Sequence, residues 1–128
     1  MLIKKSTPIS WQECFQLGCD AWLAGEQARA LAMWQASLTV NPSNYLAHFN
    51  LGTWYLRQNL IDQARRHLVR VRHLKPDYLP GRVNLGTVYL LQGDPARAAA
   101  EYRYVLTQDP HHTGAQRGIQ LVERLAKR

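Results

Sequence analysis

The chain has 128 residues, of which 46% are apolar, and its 16 Lys and Arg against 9 Asp and Glu give a net charge of +7. This length and apolar content are sufficient for one globular domain with a continuous core. No run of about 18 apolar residues is present, which argues against a membrane-spanning helix. The lysines near the start are followed by a polar segment, which is not typical of a secretory signal, so we expect a cytoplasmic protein.

The excess of basic residues makes acidic proteins, nucleic acids and anionic surfaces candidate partners. The two cysteines, Cys14 and Cys19, lie five residues apart on one predicted helix. Their side chains therefore point about 140° apart, and we expect no disulfide between them. Neither has a Cys or His three or four residues away, so no metal site and no cofactor are predicted.

The elements follow one another as predicted helices joined by short turns. Residues 1–9 are predicted to be a flexible lead, and Ser10 with Glu13 forms a capping box that starts the first helix. Asp77 is predicted to cap the fifth helix, and Asp94 followed by proline to cap the sixth. The predicted helices are 1A to about Leu23, 1B at about Gln27–Val40, 2A at about Asn44–Arg57, 2B at about Ile61–Leu74, 3A after Asp77, 3B from Pro95 to before Pro110, and a seventh from His112 or Thr113.

The first helix of each predicted pair is expected to end at one of three residues spaced 34 apart, Gly25, Asn59 and Gly93. Glycine and asparagine tolerate the left-handed backbone conformation that ends many helices. Glycine within a helix costs about 1 kcal/mol relative to alanine. A glycine recurs inside the first helix of each pair, helices 1A, 2A and 3A. This recurrence predicts close contact with the second helix of the pair, 1B, 2B or 3B. The glycines are Gly18, Gly52 and Gly86, and the expected contacts lie near Ala30, Ala64 and Ala98.

An internal period of 34 residues organises the chain around the segment 45–78. Leu-Gly recurs at 17–18, 51–52 and 85–86, proline at 42, 76 and 110, and Tyr55 recurs as Tyr89. These residues resemble the tetratricopeptide repeat, whose pattern is W-x2-L-G-x2-Y, then A-x3-F, then P. The resemblance covers Trp11 to His112, as repeats 11–44, 45–78 and 79–112.

The resemblance implies an all-α fold, a right-handed α-α superhelix of three helix-turn-helix units. Residues 10–128 would then form a single domain, in which a capping helix at 113–127 gives the array a solvated end. In this family the A helices line a concave groove that holds a peptide segment of a partner. The resemblance thus implies a protein-interaction module that acts as an adaptor, a scaffold or a chaperone-like protein.

Chaperone tails are not the expected ligand of this groove. Some co-chaperones of the family hold such tails with a carboxylate clamp of two lysines, two asparagines and an arginine. Of the five clamp places only Asn50 is matched here, since the others hold Phe15, Cys19, Pro80 and Asn84. The donors that a terminal carboxylate requires are therefore missing.

The A helices instead carry a row of amides, Gln16, Asn50 and Asn84, in equivalent places. An amide both donates and accepts hydrogen bonds, so such a row can pair with an extended peptide backbone. It resembles the asparagine ladder of glycosyltransferase-type arrays. The alternative is that these amides only tie neighbouring helices together. The predicted groove residues are Phe15, Gln16, Cys19, Trp22, Phe49, Asn50, Thr53, Asn84, Thr87 and Leu90.

A basic helix, 2B, offers an alternative site. Its cationic residues could form a solvated surface or a docking surface for nucleic acid, lipid head groups or an acidic protein, although no aromatic platform for base stacking accompanies them. Arg72 stands where the family usually has an apolar residue. The predicted basic face comprises Arg65, Arg66, Arg70, Arg72 and His73.

The first repeat opens with apolar and aromatic residues that no preceding helix covers. Exposed aromatic patches usually mark contacts, so a homodimer through this repeat is a further hypothesis, as is coverage by Leu2 and Ile3. A structural subunit of a bacterial-type secretion or envelope assembly is a third reading of the fold. No catalytic motif is present, and we expect a non-enzymatic protein.

Overall fold

The computed structural model describes residues 9–127, and these form helices joined by short turns. The predicted all-α fold is confirmed. No helix of residues 9–127 is long and apolar enough to cross a membrane. The helices are α1 (Trp11–Leu23), α2 (Gln27–Val40), α3 (Tyr45–Arg57), α4 (Ile61–Leu74), α5 (Leu79–Leu91), α6 (Pro95–Gln108) and α7 (Thr113–Ala126). Below, α1, α3 and α5 are called A helices, and α2, α4 and α6 are called B helices.

The described residues form two compact units, which divide after Ala47 in the first turn of α3. In the first unit α1 packs along α2. In the second, α5 packs against α4, α6 and α7, and α6 also packs against α7. The predicted flexible lead, residues 1–9, lies outside the described residues except for Ile9, and so does the predicted coverage by Leu2 and Ile3.

Helix starts follow the predicted caps at two places. The Ser10 hydroxyl accepts a hydrogen bond from the Glu13 backbone N–H at 3.1 Å. The Asp94 carboxylate accepts one from the Arg97 N–H at 3.1 Å, and proline follows it at the first helical position. Each bond satisfies one of the N–H groups that a helix start leaves without an internal partner.

The predicted cap at Asp77 is wrong. The N-cap residue of α5 is Tyr78, whose side chain forms no capping bond, while Asp77 pairs with Lys75 at 3.4 Å. The cap position recurs every 34 residues, at 10, 44, 78 and 112, so Asp77 is one residue too early. At 112 the imidazole Nδ1 of His112 accepts the N–H of Ala115 at 3.2 Å, which starts α7 at Thr113.

The three predicted turn residues adopt the left-handed conformation. Their φ values are +81° at Gly25, +60° at Asn59 and +76° at Gly93. Each lies between an A helix and its B helix, and the turn prediction is confirmed at all three places.

The recurring glycines of the A helices make close contacts with the B helices, as predicted. These contacts are mainly with large side chains rather than with Ala30, Ala64 and Ala98. A methyl group added at Gly18 would also lie 3.2 Å from the carbonyl oxygen of Ala30. The closest atoms belong to the central large residue of the following B helix. A methyl group would lie 2.5 Å from Trp34 Cδ1 at Gly18, 2.9 Å from Leu68 Cγ at Gly52 and 2.6 Å from Tyr102 Cε1 at Gly86.

Tyr102 shows how tightly the second unit depends on these glycines. Its ring is 2% exposed and lies against Gly86 of α5 and also against Gly118 of α7, where an added methyl group would be 2.5 Å from Cε2. Its hydroxyl lies 3.1 Å from Thr87 Oγ1, which satisfies the only polar atom of the side chain. Burial raises the pKa of Tyr102, so the phenol stays neutral.

We therefore expect Gly86→Ala to lower the free energy of unfolding by about 1–3 kcal/mol, because the added methyl group overlaps the Tyr102 ring. Helix propensity alone would give the opposite sign, a gain of about 1 kcal/mol. Urea denaturation followed by circular dichroism measures the difference. The loss should shrink when Tyr102 is replaced by leucine, which removes the ring, and an equal loss in both backgrounds would contradict this account.

Candidate functional site

A pocket of about 430 Å³ lies in the first unit, between the first turns of α1 and α3 and the turn that follows α2. Its walls combine aromatic and apolar side chains with several side-chain amides. This combination can take an apolar side chain while bonding the backbone that carries it. We call it the N-terminal pocket, and its lining residues are Trp11, Gln12, Phe15, Gln16, Asn41, Ser43, Asn44, Tyr45 and Leu46.

A chain of buried hydrogen bonds fixes the walls of the N-terminal pocket. The Ser37 hydroxyl, fully buried on α2, donates to the carbonyl oxygen of Trp11 at 2.9 Å. The Asn44 amide donates to Ser37 Oγ at 3.1 Å, and its oxygen accepts the Ala47 N–H at 3.4 Å. These bonds join α1, α2 and the start of α3, and buried groups of this kind hold position when every member is paired.

Two of the predicted groove residues of α1, Phe15 and Gln16, line this pocket, whereas Cys19 and Trp22 do not. Trp22 packs on Trp34 with ring centroids 5.6 Å apart. The Gln16 amide donates to the exposed Asp20 carboxylate at 2.9 Å, a bond within α1. Sequence reasoning did not assign the other lining residues. Those from the turn, Asn41 and Ser43, have no periodic signal that marks them.

The rest of the amide row lies in the second unit, where part of it joins helices. The Asn84 amide donates to Thr53 Oγ1 at 2.9 Å, which ties α5 to α3. Thr87 is bonded to the Val83 carbonyl oxygen and to the Tyr102 hydroxyl. Within residues 9–127 the half-buried Asn50 side chain forms no hydrogen bond. Asn50 therefore keeps both its donors and its acceptor for another molecule.

The predicted apolar flanks of the second unit, Phe49 and Leu90, are half-buried and pack against its core. The Phe49 ring meets the Tyr78 ring edge to face, with centroids 5.1 Å apart. Each flank therefore exposes only part of its apolar surface.

The predicted basic face on α4 is divided between solvent and the protein. Arg66, Arg70 and His73 are exposed, and Arg65 lies 3.8 Å from Asp62 in an exposed ion pair. Arg72 instead turns toward α6. The helix thus has an exposed cationic side and one arginine committed to a tertiary contact.

That contact is a buried carboxylate held by two arginines. Glu101 on α6 is 4% exposed, with Oε1 bonded to Arg72 at 2.6 Å and Oε2 bonded to Arg82 of α5 at 2.9 Å. Burial alone would lower the pKa of Arg72, but the hydrogen bond and the charge of Glu101 outweigh burial and raise it. Arg82 also donates to the Pro76 carbonyl oxygen and lies 4.0 Å from the centre of the Tyr104 ring.

A second pocket, of about 470 Å³, opens beside this network between α4, α5 and α6. We call it the α4–α6 pocket. It is lined by Val69, Arg72, Tyr89, Arg97, Ala100 and Glu101.

A pair of histidines occupies the contact between α3 and α4. The Nδ1 atoms of His48 and His67 lie 3.0 Å apart, and the Tyr55 ring stacks on His67 with an interplanar angle of 13°. Burial, and to a smaller extent the charge of His48, lower the pKa of His67 from 6.5 to about 4. Both imidazoles share one hydrogen bond when neutral. Within residues 9–127 no three His, Cys, Asp or Glu residues are grouped as a metal would require.

Net charge is distributed unequally along the chain. The 47 residues of the first unit contain three Lys or Arg and three Asp or Glu, whereas the second unit contains 13 against six. The whole charge of +7 therefore belongs to residues 48–128, where the α4–α6 pocket also lies.

The helical pairs, their left-handed turns and the glycine contacts define an all-α helical-repeat protein. The family model of the tetratricopeptide repeat matches residues 15–77 and 54–113. The chain therefore belongs to the tetratricopeptide repeat family, as the 34-residue period indicated. Its class is that of protein-interaction modules built from helix pairs.

Known proteins resemble the chain in sequence and in structure. The rat "DnaJ homolog subfamily C member 3" is 33% identical over 95 residues, which are 74% of this chain and 19% of that protein. The chain thus spans about one fifth of the length of this relative. The Arabidopsis OM64 TPR domain superposes with a TM-score of 0.80 at 16% identity, covering 90% of this chain and 95% of that one. The first TPR of Spaghetti (RPAP3) gives 0.84 at 15% identity, covering 93% and 94%.

We expect Glu101→Gln to lower the free energy of unfolding by roughly 2–4 kcal/mol, because Arg72 and Arg82 would face each other with no carboxylate between them. Chemical denaturation measures this loss. The matched control is Glu123→Gln on the exposed side of α7, where the change should be within about 0.5 kcal/mol. A loss at Glu101 no larger than at Glu123 would show that the network does not stabilise the unit.

The histidine pair predicts a loss of stability in mild acid. The unfolded chain takes up a proton at residue 67 near pH 6.5, whereas folded His67 does so only near pH 4. The unfolded state therefore binds more protons between these values, and the free energy of unfolding falls as the pH drops from 6.5 to 4. We expect a fall of about 1–3 kcal/mol, reduced by the partial exposure of the ring.

Denaturation at a series of pH values, compared between the wild type and His67→Gln, measures this contribution. The other four histidines are common to both proteins, so the difference between the two curves belongs to the pair. Parallel curves would exclude His67 as the cause.

Proposed function

We propose that this protein is a non-enzymatic adaptor that binds an extended segment of a partner protein in the cytoplasm. The segment places an apolar side chain in the N-terminal pocket. The pocket's combination of aromatic walls, side-chain amides and a fixed polar support is the observation that carries this proposal.

The geometry of the N-terminal pocket supports an apolar anchor rather than a charged one. Its volume of about 430 Å³ can hold one large side chain, and no Lys, Arg, Asp or Glu lines it. Trp11, Phe15, Tyr45 and Leu46 supply apolar surface, and a buried apolar anchor often carries most of the energy of a short-peptide complex. The Ser37–Asn44 bonds keep the pocket open before binding, which reduces the ordering cost on association.

The amides contribute contacts to the ligand backbone. At the pocket, Gln12 and Gln16 are exposed side chains with donors and acceptors within reach of an extended segment. The second unit, taken by itself, offers amides of the same kind, since Asn50 retains its full hydrogen-bonding capacity and Asn84 retains its oxygen after donating to Thr53. Backbone pairing of this kind gives affinity with little dependence on the ligand's sequence, so the apolar anchor sets the preference.

A chaperone tail held by a terminal carboxylate is a less favourable ligand. The RPAP3 domain in the comparison is bound to the HSP90 peptide SRMEEVD. In this chain four of the five clamp places lack the family's residue, and Phe15, at one of them, lines the N-terminal pocket. The wall therefore offers an aromatic ring where the clamp offers a cation.

We expect short peptides selected from a displayed random library on the immobilised protein to bind with micromolar affinity, about −8 kcal/mol. The selected peptides should share one large apolar residue. In fluorescence anisotropy, Phe15→Ala should weaken binding about tenfold or more by removing a pocket wall. Gln12→Ala should weaken it about three- to tenfold by removing backbone hydrogen bonds at the pocket.

Matched controls separate binding from folding. Leu23→Ala removes an apolar side chain that is 85% exposed on the same helix as Phe15, and Gln63→Ala removes an exposed amide on α4. Both should bind as the wild type does. Equal affinity of Phe15→Ala and wild type for the selected peptides would reject the N-terminal pocket as the site.

A further inference from the structure

The α4–α6 pocket has the features of a second, separate binding site. It lies in the second unit, on B helices and one A helix, and shares no residue with the N-terminal pocket. Its floor is apolar, formed by Val69, Ala100 and the Tyr89 ring, which is 6% exposed. Its sides carry the guanidinium groups of Arg72 and Arg97.

The charge presented by the α4–α6 pocket is positive although a carboxylate lines it. Both oxygens of Glu101 are already bonded, one to Arg72 and one to Arg82, and Asp94 pairs with Arg97, so three positive charges stand against two negative charges around the pocket. Arg72 uses one N–H in this bond and also bonds the Tyr89 side chain, but a guanidinium has five donors. Arg72 therefore stays in place while its remaining donors are available to a ligand.

Arg97 supplies the second cation and can move toward a ligand. Its side chain is 71% exposed, and its guanidinium lies 3.4 Å from Asp94 and 5.9 Å from the centre of the Tyr89 ring. An exposed ion pair of this kind contributes little to stability and is readily exchanged.

We propose that the α4–α6 pocket binds an acidic segment of a protein partner, with one glutamate carboxylate between Arg72 and Arg97. Planar guanidinium groups bind a carboxylate through paired hydrogen bonds, and the methylene groups of a glutamate match the apolar floor. The charge of +7 on residues 48–128 attracts such a segment from solution. The occupant is an acidic peptide rather than RNA, because the one aromatic ring in the pocket is buried and offers no open face for a base.

The test uses a short fluorescein-labelled peptide of repeated Leu-Glu-Glu and measures anisotropy with the full chain at about 0.15 M salt. A peptide with glutamine in place of every glutamate and a labelled oligouridine serve as comparison probes. We expect saturable binding of the glutamate peptide, with the other two probes at least about tenfold weaker.

Two matched pairs of variants locate the site on α6. Arg97→Gln should weaken binding about three- to tenfold, whereas Arg103→Gln, which removes the same charge from an exposed place outside the pocket, should change it less than about twofold. Ala100→Glu puts a competing carboxylate in the pocket and should weaken binding about tenfold or more. Ala96→Glu, at an exposed place outside it, should have little effect.

Several outcomes would overturn the proposal. Equal losses in Arg97→Gln and Arg103→Gln would show that the attraction is diffuse and no pocket is involved. Tighter binding of oligouridine than of the glutamate peptide would make the surface a nucleic-acid site. Absence of saturable peptide binding by the wild type would exclude the site altogether. The Phe15→Ala and Gln12→Ala variants should bind the glutamate peptide as the wild type does, so the two proposals succeed or fail separately.

Discussion

The contact between a glycine of each A helix and the large residue at the centre of its B helix is the constraint on which the rest of the structure depends. It recurs as Gly18 with Trp34, Gly52 with Leu68, and Gly86 with Tyr102. None of these contacts has space for a methyl group, so the glycine determines how closely the two helices of a pair approach each other. The remaining residues of each pair then meet in a fixed register, and both pockets are built on residues that this register positions.

The same register sets chemically different residue pairs at one equivalent contact between the A and B helices of the three repeats. Residues 14, 48 and 82 of the A helices and residues 33, 67 and 101 of the B helices are related by the 34-residue period. In the second repeat this place joins His48 to His67, and in the third it joins Arg82 to Glu101. The first repeat has Cys14 and Met33 there. A neutral pair, a titratable pair and an ion pair thus occupy equivalent positions. The residues at this contact can vary because the glycine contacts, and not these pairs, set the spacing of the helices.

What the sequence predicts well is local or periodic. The three turns depend on residues that tolerate positive φ, and the helix bounds depend on proline, caps and the period, so only the cap at Asp77 was misplaced. The polar networks were missed because each joins residues from different helices. The sequence did carry a signal for the Ser37 network, because the positions equivalent to Ser37 in the other repeats hold Val71 and Val105. A polar residue at a position that is otherwise apolar and buried requires a hydrogen-bond partner. Asn41 and Ser43 were missed because they lie in a turn, where periodicity carries no information.

Arg72 shows how such departures from the period bear on function. The equivalent positions in the other two repeats hold Leu38 and Leu106. An apolar residue at position 72 would need no carboxylate on α6. Replacing a buried ion pair by well-packed apolar residues is often neutral or stabilising, so stability alone does not account for an arginine at this place. An arginine held by Glu101 does what leucine cannot, because it keeps cationic donors beside an apolar floor at the opening of the α4–α6 pocket. The proposed acidic-peptide site therefore accounts for this ion pair better than folding energy does.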